Sequence, residues 1–146
     1  MAPNKRPEMQ RPLPIPQQTP TKRPIVLVVE DDEAISALLV EFLEKEGFRA
    51  CTATDGWQAV VQAEGMKLEL VISDLAMPGP EGTGVHAYMK LRKSPFVAAD
   101  LPIIFITALP KQQVEAALKL DARCRLFYKP LTLPVLRAAI KELTGR

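Results

Sequence analysis

The sequence is poor in cysteine and histidine and has no long apolar run. Cys51 and Cys124 lie 73 positions apart, which is no metal-type spacing, so we expect two buried structural thiols kept reduced in a cytosolic protein. No apolar run nears the roughly 18 residues that a membrane span needs. No basic segment followed by an apolar core opens the chain, as a signal peptide would. We therefore expect a cytoplasmic protein without a membrane span.

Several enzyme signatures are also missing. The glycine-rich stretch 79–84 is not followed by Gly-Lys-Ser/Thr, so it is not a P-loop. Asp74 does not begin the Asp-x-Asp motif of phosphatases that use an aspartate nucleophile. The only histidine, His86, has no neighbouring signature and is expected to be a surface residue. The chain of 146 residues is too short to add an ATP-binding kinase domain. We expect a protein that is not an enzyme.

Charge and proline divide the chain into two parts. Residues 1–24 contain seven of the fourteen prolines, five basic residues and one acidic residue. Such a segment cannot bury enough apolar surface to offset its ordering entropy, so a disordered, proline-rich basic tail is expected. The net charge of +2 is thus +4 in the tail and −2 in residues 25–146, which we expect to form one domain. A mildly acidic domain gives no support to direct binding of nucleic acid.

Residues 25–146 alternate between two kinds of periodicity. Short runs typical of buried strands occupy residues 25–29, 48–54, 70–74, 103–107 and 124–128. Apolar residues recur at helical spacing over residues 34–46, 57–65, 83–92, 111–120 and 133–143. For the second helix the core contacts predicted from this pattern are Trp57, Val60, Val61 and Met66. Alternating strands and helices predict an α/β fold with a parallel sheet and helices on both faces.

Four of the five predicted strands end in polar residues. These are Glu30-Asp31, Asp74, Thr107 and Lys129. They can be neighbours at one sheet edge if the second strand lies outside the others, in the order 2-1-3-4-5 of a doubly wound, flavodoxin-like sheet. Clustered carboxylates favour a hard divalent cation such as Mg²⁺, and a carboxylate can itself be a nucleophile toward phosphorus. A lysine and a hydroxyl beside it can bind phosphoryl oxygens.

These residues, with their surrounding motifs, resemble the response-regulator receiver domain of two-component signalling, of the single-domain type. The motifs are Val28-Val29-Glu30-Asp31-Asp32, Ser73-Asp74-Leu75-Ala76-Met77-Pro78 with Gly82, Ile106-Thr107-Ala108 and Lys129-Pro130. The likeness covers about residues 24–144. It implies the same strand order, and a phosphorelay protein that signals to a partner by a conformational change.

The resemblance also implies a role for each site residue. Asp74 would accept a phosphoryl group from the phosphohistidine of a sensor kinase or phosphotransfer protein. Mg²⁺ would be held by Asp31, by Glu30 through water, by Asp74 and by the Ala76 carbonyl. Thr107 and Lys129 would bind the phosphoryl group. Asp32 is expected to start a helix instead of binding metal.

One departure from the family concerns the readout of the signal. Leu126 stands where the family has an aromatic residue, and the aromatics here are Phe127 and Tyr128. This predicts a muted or differently built switch. The expected output surface is the fourth helix, fifth strand and fifth helix, which would bind a downstream protein or a second copy. Two alternatives remain open: a binding module that never needs phosphorylation, and a fragment of a larger regulator or hybrid kinase.

Overall fold

A computed structural model describes residues 22–75 and 84–146. Five strands and five helices alternate along these residues. They are β1 Ile25–Val29, α1 Glu33–Lys45, β2 Arg49–Ala53, α2 Gly56–Gly65, β3 Leu70–Asp74, α3 Gly84–Lys93, β4 Ile103–Thr107, α4 Lys111–Ala117, β5 Cys124–Tyr128 and α5 Leu133–Thr144. The predicted tail, apart from residues 22–24, and residues 76–83 lie outside the described residues.

The strands form one parallel sheet in the order β2-β1-β3-β4-β5, which confirms the predicted α/β fold and strand order. The three central strands are almost wholly apolar and buried on both faces. This composition is expected when helices cover both sides of a parallel sheet. All five strands therefore run in one direction and end at the same edge.

Each face of the sheet has its own apolar core. On one face α1 and α5 pack over the sheet, with Leu43, Phe48 and Leu136 among the most buried side chains. On the other face α2, α3 and α4 pack over it, around Phe105 and Tyr88, whose rings meet edge to face at 5.5 Å. None of the helices in the described part of the chain is long and apolar enough to cross a membrane.

The helices differ from their predicted form in two places. The predicted core face of α2 is wrong for Trp57 and Val61, which are 56% and 60% exposed. The buried face consists instead of Gly56, Ala59 and Ala63, small residues that let the helix lie close to the sheet. The apolar spacing predicts that α4 reaches residue 120, but the helix ends at Ala117. It buries only Val114, so little apolar contact holds a further turn.

The structure can be compared with two further predictions, the burial of the cysteines and the role of Asp32 at the start of α1. Both thiols are free; Cys124 is buried, whereas Cys51 is half-buried and not fully buried as expected. Burial raises the pKa of each thiol, which makes it less reactive. Asp32 caps α1, with its Oδ1 accepting a hydrogen bond from the backbone N–H of Ile35 at 3.0 Å.

A polar link ties α3 to the segment before β5. Asp121 accepts a hydrogen bond from Nε of Arg92 at 2.7 Å and another from the Tyr88 hydroxyl at 2.9 Å. The Arg92 hydrogen bond holds the pKa of Asp121 well below its ordinary value of 3.8, assisted by Tyr88 and against the effect of burial. Burial and the bond to Asp121 raise the pKa of Tyr88 to about 12. The ionised carboxylate therefore contributes to stability.

We expect Asp121→Asn to lower the free energy of unfolding by about 1 kcal/mol at pH 7, a small value because the carboxylate is partly exposed. Since the folded state lowers the pKa of Asp121, its contribution is complete above the ordinary pKa and is lost as the pH falls through the folded pKa. The difference between wild type and variant should therefore begin to shrink below pH about 4. Urea unfolding at pH 7 and at pH 3 measures it.

Asp100→Asn, at an exposed aspartate in the loop before β4, is the matched control and should change stability little at either pH. An effect of Asp121→Asn that stays constant or grows in acid would contradict the assignment of the stabilising charge to Asp121.

Candidate functional site

Two carboxylates lie side by side because the strands that carry them are neighbours. Val29 of β1 is paired in register with Ser73 of β3. The residue that follows each of these two positions is acidic and lies at the sheet edge. It is Glu30 after β1 and Asp74 at the end of β3. Both are buried, with 5% and 7% of their surface exposed. The parallel register places two acidic side chains in a poorly hydrated position.

Asp31 completes a group that we call the acidic cluster, consisting of Glu30, Asp31 and Asp74. One carboxylate oxygen from each residue lies within 4.8 Å of the others. Asp31 is exposed, so the cluster has two buried members and one that faces solvent. Like charges this close repel one another. The cluster needs positive charge to be stable in its ionised form.

Lys129 supplies one positive charge. Its Nζ donates a hydrogen bond to Asp74 Oδ2 at 3.1 Å and lies 3.7 Å from Glu30 Oε1. Burial alone would lower the pKa of Lys129, but the hydrogen bond and charge of Asp74, together with Glu30, outweigh burial and raise the pKa. Lys129 is therefore a fixed cation in direct contact with Asp74.

Glu30 shows that this single cation compensates the cluster only in part. Burial raises the pKa of Glu30 above its ordinary value of 4.5, and the charge of Asp74 raises it further. The backbone N–H of Asp32, a donor at 3.2 Å, and the charge of Lys129 act in the opposite direction. The net shift is upward. The ionised form of Glu30 therefore remains disfavoured, chiefly by burial.

The donor set fits a divalent cation. Three carboxylates and one ammonium leave a formal charge of −2 when all are ionised. A hard divalent cation neutralises that charge, and carboxylate oxygens together with water are the ligands that Mg²⁺ prefers. The Ala76 carbonyl, which the family resemblance adds as a ligand, lies outside the described residues.

Thr107 joins the site from the other side through β4. Its side chain is fully buried, and its Oγ1 accepts a hydrogen bond from the backbone N–H of Leu109 at 3.0 Å. Its carbonyl accepts a hydrogen bond from the backbone N–H of Lys129 at 2.8 Å. A hydroxyl that accepts one bond can still donate its own proton. Thr107 is thus linked to Lys129 through the main chain and keeps a donor.

The aromatic residues of β5 take up opposite faces of the sheet. Leu126 and Tyr128 pack against the core beneath α2, α3 and α4, whereas Phe127 packs against the other core. Tyr128 is the register partner of Thr107. An aromatic residue is therefore present on the same face as Leu126, two positions nearer the acidic cluster. It lies beside Thr107 in the sheet.

The structure brings five of the six predicted site residues to one edge, and the sixth, Ala76, is not described. Sequence reasoning missed Gly84, the first residue of α3. A Cβ built at Gly84 would lie 2.8 Å from the Asp74 carbonyl oxygen and 2.9 Å from the Leu75 Cα. Its backbone angles need no glycine, so the only signal is this close approach, which becomes visible once α3 is packed against the end of β3.

Comparison with known proteins agrees with this geometry. A sequence profile described as the response regulator receiver domain matches residues 26–141. The sensory transduction protein RegX3 of Mycobacterium tuberculosis is 37% identical over 83 residues, which are 57% of this chain and 34% of that protein. The phosphate regulon transcriptional regulatory protein PhoB of Rhizobium meliloti is 32% identical over 123 residues, covering 84% of this chain and 53% of that protein. The chain thus spans about a third to a half of these relatives.

Two solved structures are similar over most of their length. The receiver domain of sensor histidine kinase PA1611 from Pseudomonas aeruginosa, with a magnesium ion coordinated in its active site cleft, has 25% identity and a TM-score of 0.74, covering 85% of this chain and 99% of that one. The signal receiver domain of a signal transduction histidine kinase from Syntrophus aciditrophicus has 28% identity and a TM-score of 0.73, covering 84% and 90%.

Gly84→Ala should lower the free energy of unfolding by about 1–3 kcal/mol, because the added methyl group meets backbone atoms that cannot move independently of β3. Gly65→Ala is the matched control, since nothing lies within 4 Å of a Cβ built there. It should leave stability unchanged or raise it slightly. Urea unfolding of both variants measures the contrast, and equal effects would show that the close approach at Gly84 has no energetic importance.

Proposed function

Because the chain belongs to the response-regulator receiver domain family of two-component signalling, we propose that it accepts a phosphoryl group on Asp74. The observation that carries this proposal is the position of Asp74 between an ammonium group at 3.1 Å and two further carboxylates within 4.8 Å. A purely structural ion pair would consist of Asp74 and Lys129 alone, without two further carboxylates beside them. The additional buried carboxylate is stabilised by a cation, and cations are what phosphoryl oxygens require.

The proposed reaction uses an oxygen of Asp74 as the nucleophile. That oxygen forms a bond to the phosphorus of a phosphohistidine on a sensor kinase or phosphotransfer protein. The phosphorus–nitrogen bond breaks, and the imidazole leaves with the electron pair and takes up a proton. The product is an acyl phosphate on Asp74. Burial of Asp74 limits the water around the reacting atoms.

Mg²⁺ is the proposed cofactor, which Asp31, Asp74 and the Ala76 carbonyl would bind and which Glu30 would hold through water. When bound, it would neutralise the charge of the phosphoryl oxygens. Lys129 lies against Asp74 in the described geometry, so its ammonium is in reach of an oxygen attached there. The Thr107 hydroxyl has a donor to offer a second oxygen. These two side chains would hold the phosphoryl group.

The chain would then act as a switch and not as an enzyme. A phosphoryl group adds about −1.5 to −2 charge at the end of β3. It can shift a conformational equilibrium only through groups that bind it differently in the two states. Lys129 and Thr107 are those groups here, and a downstream protein would read the result. Two free thiols agree with a location in the reducing cytoplasm.

Labelling with radioactive acetyl phosphate and Mg²⁺ tests the phosphoacceptor. We expect wild type to take up label that hydroxylamine removes, as it does from an acyl phosphate. Asp74→Asn should take up none, because the amide is not a nucleophile toward phosphorus, and a chelator should abolish uptake by wild type. Asp121→Asn is the control and should be labelled like wild type. Wild type without label, or Asp74→Asn with full label, would favour a binding module that does not need phosphorylation.

A second experiment tests the role of Thr107. Thr107→Val keeps the shape of the side chain and removes the hydroxyl, at a cost of about 1 kcal/mol because the Leu109 amide loses its acceptor. We expect the variant to be labelled, but the change in amide resonances of β5 and Lys129 on phosphorylation should fall by at least half. Thr107→Ser retains the hydroxyl and should keep most of the response. Equal responses in Thr107→Val and wild type would exclude Thr107 as a coupling group.

A further inference from the structure

Helix α2 presents its large apolar side chains to solvent. Trp57 and Val61, one helical turn apart, are 56% and 60% exposed. The residues that α2 buries are Gly56, Ala59 and Ala63. The fully buried residues of this helix are therefore small, and Val60 packs against the core only in part. Two large apolar side chains aligned on the outer face do nothing for the core, and such aligned exposure is typical of an interaction site.

These side chains form one wall of a groove, and α3 forms the other. The groove has a volume of about 360 Å³ and is lined by Trp57, Val60, Val61, Glu64, Lys90, Lys93 and Ser94. We call it the α2–α3 groove. Nζ of Lys90 lies 4.7 Å from the centre of the Trp57 ring, a cation–π contact across the groove. The Ser94 hydroxyl donates a hydrogen bond to Glu64 at 2.7 Å, again across the groove. The two walls are held together by side-chain contacts.

The groove is positively charged in a domain that is negative as a whole. Lys90 and Lys93 carry two positive charges and Glu64 carries one negative charge, so the lining has a formal charge of +1. Residues 25–146 have a net charge of −2. Apolar side chains flanked by two lysines are complementary to a segment that has apolar anchors flanked by carboxylates. A concave groove between two helices accepts the side chains of a third helix.

We propose that the α2–α3 groove binds an acidic amphipathic helix of a partner protein. Apolar side chains of that helix pack against Trp57 and Val61, and its carboxylates pair with Lys90 and Lys93. The proposal goes beyond the phosphoacceptor function and does not depend on it. It uses neither the acidic cluster nor the output surface of α4, β5 and α5.

Two designed peptides test the proposal on the full chain. Both are 18-residue helices stapled to hold their fold, with leucines at helical spacing along one face. The acidic peptide has glutamates flanking the leucines, and the basic peptide has lysine at each of those positions. Anisotropy of a fluorescein label gives the affinity. We expect the acidic peptide to bind at least tenfold more tightly. Trp57 is the only tryptophan, so its emission should shift to shorter wavelength when that peptide binds.

Charge-reversal variants locate the site. Lys90→Glu and Lys93→Glu should each lower the affinity for the acidic peptide at least fivefold. Each should also reduce the ratio between the affinities for the acidic and the basic peptide. Lys141→Glu makes the same change at an exposed position of α5, on the opposite face of the sheet, and should have no effect. Val61→Ser should lower the affinity for both peptides, because both use the apolar contact. Circular dichroism and urea unfolding establish that each variant is folded, independently of peptide binding and of phosphorylation.

Several results would overturn the proposal. Equal affinity for the two peptides, or binding of the acidic peptide unaffected by Lys90→Glu and Lys93→Glu, would remove the charge complementarity on which it rests. An unchanged Trp57 emission at saturation would place binding elsewhere. Binding to vesicles of anionic lipid that Lys90→Glu and Lys93→Glu weaken, without binding of the acidic peptide, would assign the groove to membranes. A chain that binds the acidic peptide but takes up no phosphate label would overturn the phosphoacceptor function alone.

Discussion

Repulsion between buried carboxylates is the constraint that governs the site. Glu30 and Asp74 meet at the sheet edge because β1 and β3 are parallel neighbours in register. Both are almost inaccessible to water, so solvent screens their charges poorly. Lys129 offsets part of the cost, but burial, together with the charge of Asp74, still raises the pKa of Glu30. This edge of the sheet therefore favours binding of a cation. A bound cation would in turn favour binding of an anionic ligand.

The sheet makes this arrangement possible without distorting the core. The apolar parts of β1, β3 and β4 are buried between the two helix layers, and polar residues begin only in the last two positions of a strand or just beyond its end. Parallel pairing then brings the polar residues together at one edge. Asp31 and Thr107, for example, are more than seventy residues apart along the chain. Gly84 adds to the arrangement by letting α3 begin against the carbonyl of Asp74.

The sequence was sufficient for features that depend on pattern and insufficient for features that depend on distance. Apolar runs ending in polar residues predicted the strands, their order and the meeting of Asp31, Asp74 and Lys129. The role of Asp32 as a helix cap followed from its type and position. The predicted core face of α2 is wrong for Trp57 and Val61, because the apolar pattern does not show that the helix lies close to the sheet and buries Ala59 and Ala63. The need for glycine at Gly84 could not be found, since it arises from a tertiary contact.

The contacts of Lys129 connect Asp74, the proposed phosphoacceptor, to the rest of the sheet. Its side chain is bonded to Asp74 on β3, and its backbone N–H is bonded to the Thr107 carbonyl on β4. A change of charge on Asp74 alters the force on an ammonium whose main chain follows directly on β5. Tyr128 precedes it and is paired in register with Thr107. Although Leu126 departs from the family pattern, this edge still has an aromatic residue, because Tyr128 borders Thr107. A displacement of β5 relative to β4 would act first at this pair of residues.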